Sequence, residues 1–208
     1  MGSFHHSFGL ETYVTQYGVK SVGELRELLA AYLKMSLPLD GKALSQAYEI
    51  GLQRDSEELC EYDESITAMR LTRETREANL KTGKAFVRMV RYWSKELMKY
   101  YELLRENDKL GNYSVVLGYA GGVWQMDKGE LLKAFLFNSL NGMLQAGIKL
   151  IPLGQTESQI MLTGLFPAIE ETAEEILLHP EDGPSNFAPM LDIASMRHET
   201  LYSRLYMS

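Results

Sequence analysis

The sequence predicts an all-α protein, a bundle of roughly eight to ten helices in one domain spanning residues 1–208. Three observations carry that reading. Apolar residues recur at helical spacing along almost the whole chain. Capping residues stand just ahead of those stretches. No run alternates apolar and polar residues for long enough to make a useful strand. Repeats of fixed period and low-complexity tracts are absent from the sequence.

The elements follow in order. Ser21 and Glu24 form an S-x-x-E capping box, after which Val22, Leu25, Leu28, Leu29, Tyr32 and Leu33 share one helix face. A second helix restarts after Pro38 with Asp40 as its expected N-cap, and Leu44, Ala47 and Tyr48 lie together on it. Asp55 with Glu58 marks another start. From Ser56 to Asn107 breakers are few, and Leu71, Ala78, Phe86, Met89, Trp93, Leu97, Tyr100 and Leu104 keep a helical period. So long a stretch exceeds an ordinary helix, so it divides into two or three, with a break expected between Arg70 and Gly83. "ENDKLGNYS" is a turn by composition. "VVLGYAGGVW" is helical but rich in small residues. Its glycines weaken the helix and let two helix backbones approach closely. Asp127 and Glu130 open the helix over 131–150, which Pro152 ends. "GQTESQIMLTGLFPAIEETAEEILL" is helical with a break or kink at Pro167. "HPEDGPSNFAP" is a loop, and a last helix runs from Pro189 to Leu201.

Bulk composition narrows the function classes. The chain has 208 residues, of which 45% are hydrophobic and 24% charged, enough for a substantial core. A net charge of -7 argues against nucleic acid as a partner. The single cysteine, Cys60, excludes an internal disulfide, and a cytoplasmic location is expected. "MGSFHHSFGLE" lacks the basic start and apolar run of a signal peptide. The stretch 131–153 is apolar enough to suggest a membrane span. It carries Lys133 and Lys149, and Asn138, Asn141 and Gln145 form a polar stripe, so it reads as a largely buried helix of a soluble bundle.

Signals for catalysis are few. The sequence holds no H-E-x-x-H, C-x-x-C, G-x-x-x-x-G-K-[ST] or G-x-S-x-G, and no aspartate-rich metal motif. His5 and His6 read as a transient metal contact or as the remnant of a tag. His198 beside Glu199 reads as a ligand pair or as a hydrogen-bonded histidine at a helix C-terminus. Cys60 reads as a ligand or as a small packing residue. Charge is more informative. Arg70, Arg73, Arg76, Lys81, Lys84, Arg88 and Arg91 make a basic stretch, whereas "EELCEYDE" and "EETAEE" are acidic. Such blocks either steer protein partners or are solvated helix faces with i,i+4 pairs. The C-terminal residues "LYSRLYMS" are apolar and aromatic around one arginine. Tyr and Arg are common interface anchors, so this tail either docks on a partner or folds back on its own domain.

Four stretches together resemble urease accessory protein F, the UreF family. "GSFHHSFGLETYV" resembles its G-S-[FY]-x-H-S-x-G-L-E segment, and "RETREANLKTGKAF" its arginine-bearing helix with an internal glycine. "IKLIPLGQTESQ" resembles its P-L-[GS]-Q-x-x-[GS]-Q segment, with Ser158 at the second small position. "LDIASMRHETLYSRLYMS" resembles its closing M-x-H-E-x-L-[YF]-S-R-L-[FY]-x-S. The resemblance spans essentially the whole chain. Members of that family usually carry a further leucine-rich stretch ahead of the "GSF" segment. Either the start of the sequence is truncated or mis-assigned, or that first helix is absent. In the latter case the groove it would fill is exposed, and the partner surface near Phe4–Glu11 is altered.

The resemblance implies an all-α fold and no enzyme activity of its own. It implies a chaperone or scaffold of urease maturation that binds UreD (also called UreH), recruits the GTPase UreG and docks on apo-urease. It also implies a homodimer, with no membrane partner and no stably bound cofactor. Nickel is handled by the assembled complex and delivered in a GTP-dependent step. Carried over by motif, an N-terminal segment (residues 1–12) with Ser3, Phe4, His6, Ser7, Phe8, Gly9 and Glu11 faces partners. A C-terminal docking tail (residues 201–208) comprises Leu201, Tyr202, Ser203, Arg204, Leu205, Tyr206, Met207 and Ser208. Gln155 and Gln159 line a polar path for nickel or cap their helix. The alternative function is a GTPase-activating protein whose Arg204 or Arg73 acts as an arginine finger.

Overall fold

The computed structural model describes residues 11–12, 18–19, 21–151, 153–180, 182–184 and 189–198, with the backbone alone for 189–191 and 198. Among them are ten α-helices and no strand: α1 (Val22–Met35), α2 (Leu37–Gln53), α3 (Ser56–Met69), α4 (Arg73–Val90), α5 (Lys95–Glu106), α6 (Tyr113–Val123), α7 (Lys128–Leu150), α8 (Gln155–Thr163), α9 (Phe166–Leu178) and α10 (Pro189–His198). A single 3₁₀ turn, Arg91–Trp93, joins α4 to α5.

Local capping explains most of the starts. Ser21 Oγ accepts from the Glu24 N–H while the Glu24 carboxylate accepts from the Ser21 N–H, completing the capping box of α1. Asp55 accepts from both Glu57 and Glu58 N–H groups, and Asp127 from Glu130 N–H. One expected cap is corrected. The N-cap position of α2 is Ser36, and Asp40 lies inside its first turn. The Asp40 carboxylate faces Arg70 and Ser114 rather than its own helix end.

The long stretch after Ser56 breaks twice, at Arg70–Thr72 and at Arg91–Ser94. Each break resets the helical phase, so the period read across it fails in places. Ala78, Phe86, Leu97, Tyr100 and Leu104 are buried as expected, but Leu71 and Trp93, which lie in the breaks, are exposed, as is Met89 within α4. Val22 is likewise exposed, at the first position of α1. The chain also breaks at Gly164–Leu165, which leaves Pro167 in the first turn of α9, where its missing N–H costs nothing.

Two apolar clusters meet on α2. Leu37, Leu44 and Tyr48 pack with α1, α7, α8 and α9, whereas Ala43, Ala47 and Ile50 pack with α3, α4, α5 and α6. Tyr113 and Leu117 of α6 touch both clusters. Helix α2 is therefore covered on opposite sides, as its apolar composition demands. It lies closest to α6, where Gly118 and Gly122 meet the backbone of Leu44 and Tyr48. Helix α7 buries Leu132, Phe135, Leu136, Leu140, Met143 and Leu144 and leaves the Asn138 side of the helix less covered. No helix among the described residues is long and apolar enough to cross a membrane.

Candidate functional site

The densest polar chemistry lies where α3, α5 and the turn before α6 converge. Asp63 is fully buried, and four donors point at its carboxylate. The Tyr100 hydroxyl donates to it, the Gly111 N–H at 2.6 Å, the Asn112 N–H at 3.0 Å and the Asn112 side-chain amide at 2.6 Å. Gly111 takes a φ of 110° to make this turn, a conformation that a side chain would oppose. Asn112 then accepts from Arg70 Nε at 2.8 Å, and the Arg70 guanidinium pairs with Asp40 of α2. Ser114 Oγ donates to the same Asp40 carboxylate at 2.6 Å.

Burial pushes the Asp63 carboxyl above its ordinary range, and the hydrogen bonds from Tyr100, Gly111 and Asn112 offset part of that rise. The Tyr100 hydroxyl is pushed well up by burial and then by Asp63. Both groups are sealed from solvent, so this network acts as a latch that ties α2, α3, α5 and α6 together. Nearby, half-buried Cys60 has its thiol pushed up to about 11, first by burial and then by Asp63 and Glu64. That is the environment of an inert packing thiol. Among the described residues no three His, Cys, Asp or Glu side chains are placed to hold a metal ion.

The last helix has a defined seat. Ala194 and Ser195 of α10 are buried, and Ser195 Oγ donates to Thr72 Oγ1 at 3.3 Å. Thr72 is itself the N-cap of α4. Small residues at 194 and 195 let α10 lie close to that helix start, while Ile193 and Met196 remain exposed. The backbone of "LDIASMRH" therefore reaches His198 from a fixed position on the bundle.

Of the residues singled out from sequence, Ser3, Phe4, His6, Ser7, Phe8 and Gly9 lie outside the described residues, as do Leu201–Ser208 with Arg204. Glu11 is described and is only 3% exposed. Gln155 and Gln159 are both exposed on α8. The backbone N–H of Gly154, the N-cap of α8, donates to the Glu157 carboxylate at 3.2 Å, so Glu157 takes the capping role. Ser158 is buried, and its hydroxyl donates to the Gln155 carbonyl at 2.7 Å, so the serine is accommodated in its own helix turn. Arg73 is exposed at the start of α4, and its Nε donates to Glu77 at 2.7 Å.

Sequence reading missed two features. The Asp63 latch escaped it because its partners lie up to 49 residues apart. The exposed Tyr92–Trp93 corner escaped it because Trp93 sat in the helical period read from Ser56 to Asn107.

Fold and site together define an all-α bundle protein that fixes its own junctions with buried polar groups and carries its terminal helix on a small-residue seat. The UreF family model matches residues 19–166, and the chain belongs to the UreF family. It is 33% identical over 211 residues to the urease accessory protein UreF of Actinobacillus pleuropneumoniae serotype 5b (strain L20), covering 100% of this chain and 93% of the relative. The corresponding protein of Haemophilus influenzae (strain ATCC 51907 / DSM 11121 / KW20 / Rd) is 34% identical over 212 residues, covering 100% of this chain and 90% of that one. That of Bacillus sp. (strain TB-90) is 30% identical over 210 residues, covering 100% and 92%. These relatives are named as accessory proteins of urease.

Proposed function

We propose that this chain is an adaptor in urease maturation. It binds UreD (UreH), recruits the GTPase UreG, and as a homodimer within a cytoplasmic complex supports GTP-dependent nickel insertion into apo-urease. Nickel is cargo of the complex, and the chain holds no cofactor of its own. The observation that carries this reading is full-length similarity to proteins named urease accessory protein UreF. The seat of α10 on Thr72 supports it, because "HETLYSRLYMS" follows directly from a helix anchored there. A docking element that continues from an anchored helix loses less freedom on binding than one on a loose end.

The test is co-purification of UreD and UreG with the full chain and with a chain ending at Leu201. Both partners are expected to be retained by the full chain, and the shortened chain is expected to lose UreG. Equal recovery by the two chains would remove the tail from the reading. Failure of the full chain to retain either partner would remove the adaptor role itself. Single-turnover GTP hydrolysis by UreG separates this reading from an arginine finger. Stimulation is expected only in the full urease assembly, and acceleration by this chain alone would favour the finger.

A further inference from the structure

The basic stretch between residues 70 and 91 does not form one surface. Arg70 is buried against Asp40, Arg73 pairs with Glu77, Arg76 donates to the Arg70 carbonyl, and Lys84 donates to the Asp108 carbonyl at 2.7 Å. Arg88 and Arg91 remain at the far end of α4, joined by Lys95 at the start of α5. Among the described residues no carboxylate lies within ion-pair distance of any of these three.

The same corner exposes aromatic surface. Tyr92 is 71% exposed, Trp93 67% and Met89 50%. The two rings are held in place. Trp93 packs on Trp124 with ring centroids 5.5 Å apart. The Arg91 guanidinium lies 4.2 Å from the Tyr92 ring centroid and 4.7 Å from that of Tyr101, and its Nη2 donates to the Tyr92 hydroxyl at 2.7 Å. Trp, Tyr and Arg are the residue types that dominate binding energy at interfaces, and groups already ordered lose little freedom when a partner arrives.

We propose that the corner formed by the end of α4, the 3₁₀ turn and the start of α5 docks an acidic segment of a partner protein. Carboxylates of that segment meet Arg88, Arg91 and Lys95, and an apolar side chain covers Trp93. Charge selects this occupant. The corner is locally cationic on a chain of net charge -7, and a short carboxylate-bearing segment feels mainly the charges within a Debye length of about 8–10 Å, so it is attracted here despite the net charge. A phosphate polymer or an anionic bilayer feels the whole chain's negative field, and three cations fall short of the clusters that hold membranes. The surface is also separate from the seat of α10. Helix α4 runs from Thr72 to this corner, about 25 Å at the usual helical rise. The proposal therefore stands independently of the adaptor reading.

Both tryptophans of the chain, Trp93 and Trp124, lie at this corner, so intrinsic tryptophan emission reports on it alone. The experiment titrates the full chain with a short synthetic peptide of glutamates around one leucine, free of aromatic residues. Phosphatidylcholine–phosphatidylserine vesicles and oligo(dT) serve as competing probes. The expected result is a saturable emission change with the peptide alone, weakened by added salt. A chain carrying Arg88→Glu and Lys95→Glu should bind at least about tenfold more weakly. Both side chains are on the surface of the fold, and an unchanged circular dichroism spectrum verifies that the double change leaves it intact. Trp93→Ala should also weaken binding, with Trp124 left to report. The absence of saturation up to millimolar peptide would overturn the proposal. So would equal affinity in the charge-reversed chain, or tighter binding of vesicles or oligo(dT).

Discussion

Gly118 of α6 lies directly against the backbone carbonyl of Leu44 in α2, and a Cβ built at Gly118 would stand 2.9 Å from that carbonyl carbon. Gly122 makes the same kind of approach to Tyr48 and to Gly51, whose Cα would be 2.9 Å away. In each case the obstacle is backbone, which cannot swing aside as a side-chain tip can. This contact joins the two apolar clusters, so separating the helices would loosen both.

Gly118→Ala and Gly122→Ala are therefore expected to destabilise the fold by about 3 kcal/mol each, the upper range for overpacking. Gly142 provides the contrast. It lies inside α7 with nothing within 4 Å of the position a methyl would take, so Gly142→Ala should stabilise by about 0.5–1 kcal/mol through helix propensity alone. Urea midpoints of the three variants check both signs. A neutral Gly118→Ala would mean that the helices can part without loss.

The Asp63 latch predicts a loss on isosteric substitution. Asp63→Asn places an amide N–H₂ against either the Tyr100 and Gly111 donors or the two Asn112 donors, leaving buried groups without acceptors. The expected loss is about 2–3 kcal/mol by urea denaturation. A pH series adds a signed test. The folded carboxyl is raised above its ordinary value, so the folded state holds its proton more tightly than the unfolded chain. That contribution is fully present below the unfolded value and is lost as pH rises through the folded one. Wild-type stability relative to Asp63→Asn should fall with rising pH across this window. A difference that grows with pH would show the opposite shift.

The helix starts were legible because a cap is a local event. Ser21 with Glu24, Asp55, and Asp127 with Glu130 each satisfy N–H groups within three residues of themselves. The close approach at Gly118 and Gly122 was legible too, since a run of small residues in an apolar helix has few other uses. Asp40 was not. It has the residue type and position of an N-cap, but Arg70 and Ser114 from distant helices claim its carboxylate. Trp93 failed for a different reason. Its spacing matched the buried face of α4, but the 3₁₀ turn at Arg91–Trp93 rotates it outward, and nothing local in "RYWS" announces that turn. Of the candidate site, the seat at Ala194 and Ser195 lay inside a recognised motif, but its partner Thr72 is 123 residues away.

Cys60 is expected to label slowly. Its thiol is half-buried and pushed from about 9 to about 11, which lowers the thiolate fraction near pH 8 roughly a hundredfold. Iodoacetamide modification followed by intact mass should show a rate that keeps climbing beyond pH 9, where an ordinary thiol has begun to level off. A plateau near pH 9 would mean that the thiol meets solvent freely.

Arg204 carries the last prediction, which belongs to the adaptor reading. It is the one cation in a tail of leucine, tyrosine and methionine, and a guanidinium can hold a carboxylate or two carbonyls in a fixed fork. If that fork orders the tail on its partner, Arg204→Ala should leave the urea midpoint unchanged. It should weaken recruitment of UreG to the UreD complex by about 2 kcal/mol or more. Arg204→Lys keeps the charge but not the planar fork, so it should recover only part of the loss. Full recovery by lysine would reduce the role to charge alone. Unchanged ternary assembly by Arg204→Ala in a pull-down would remove the residue from the interface.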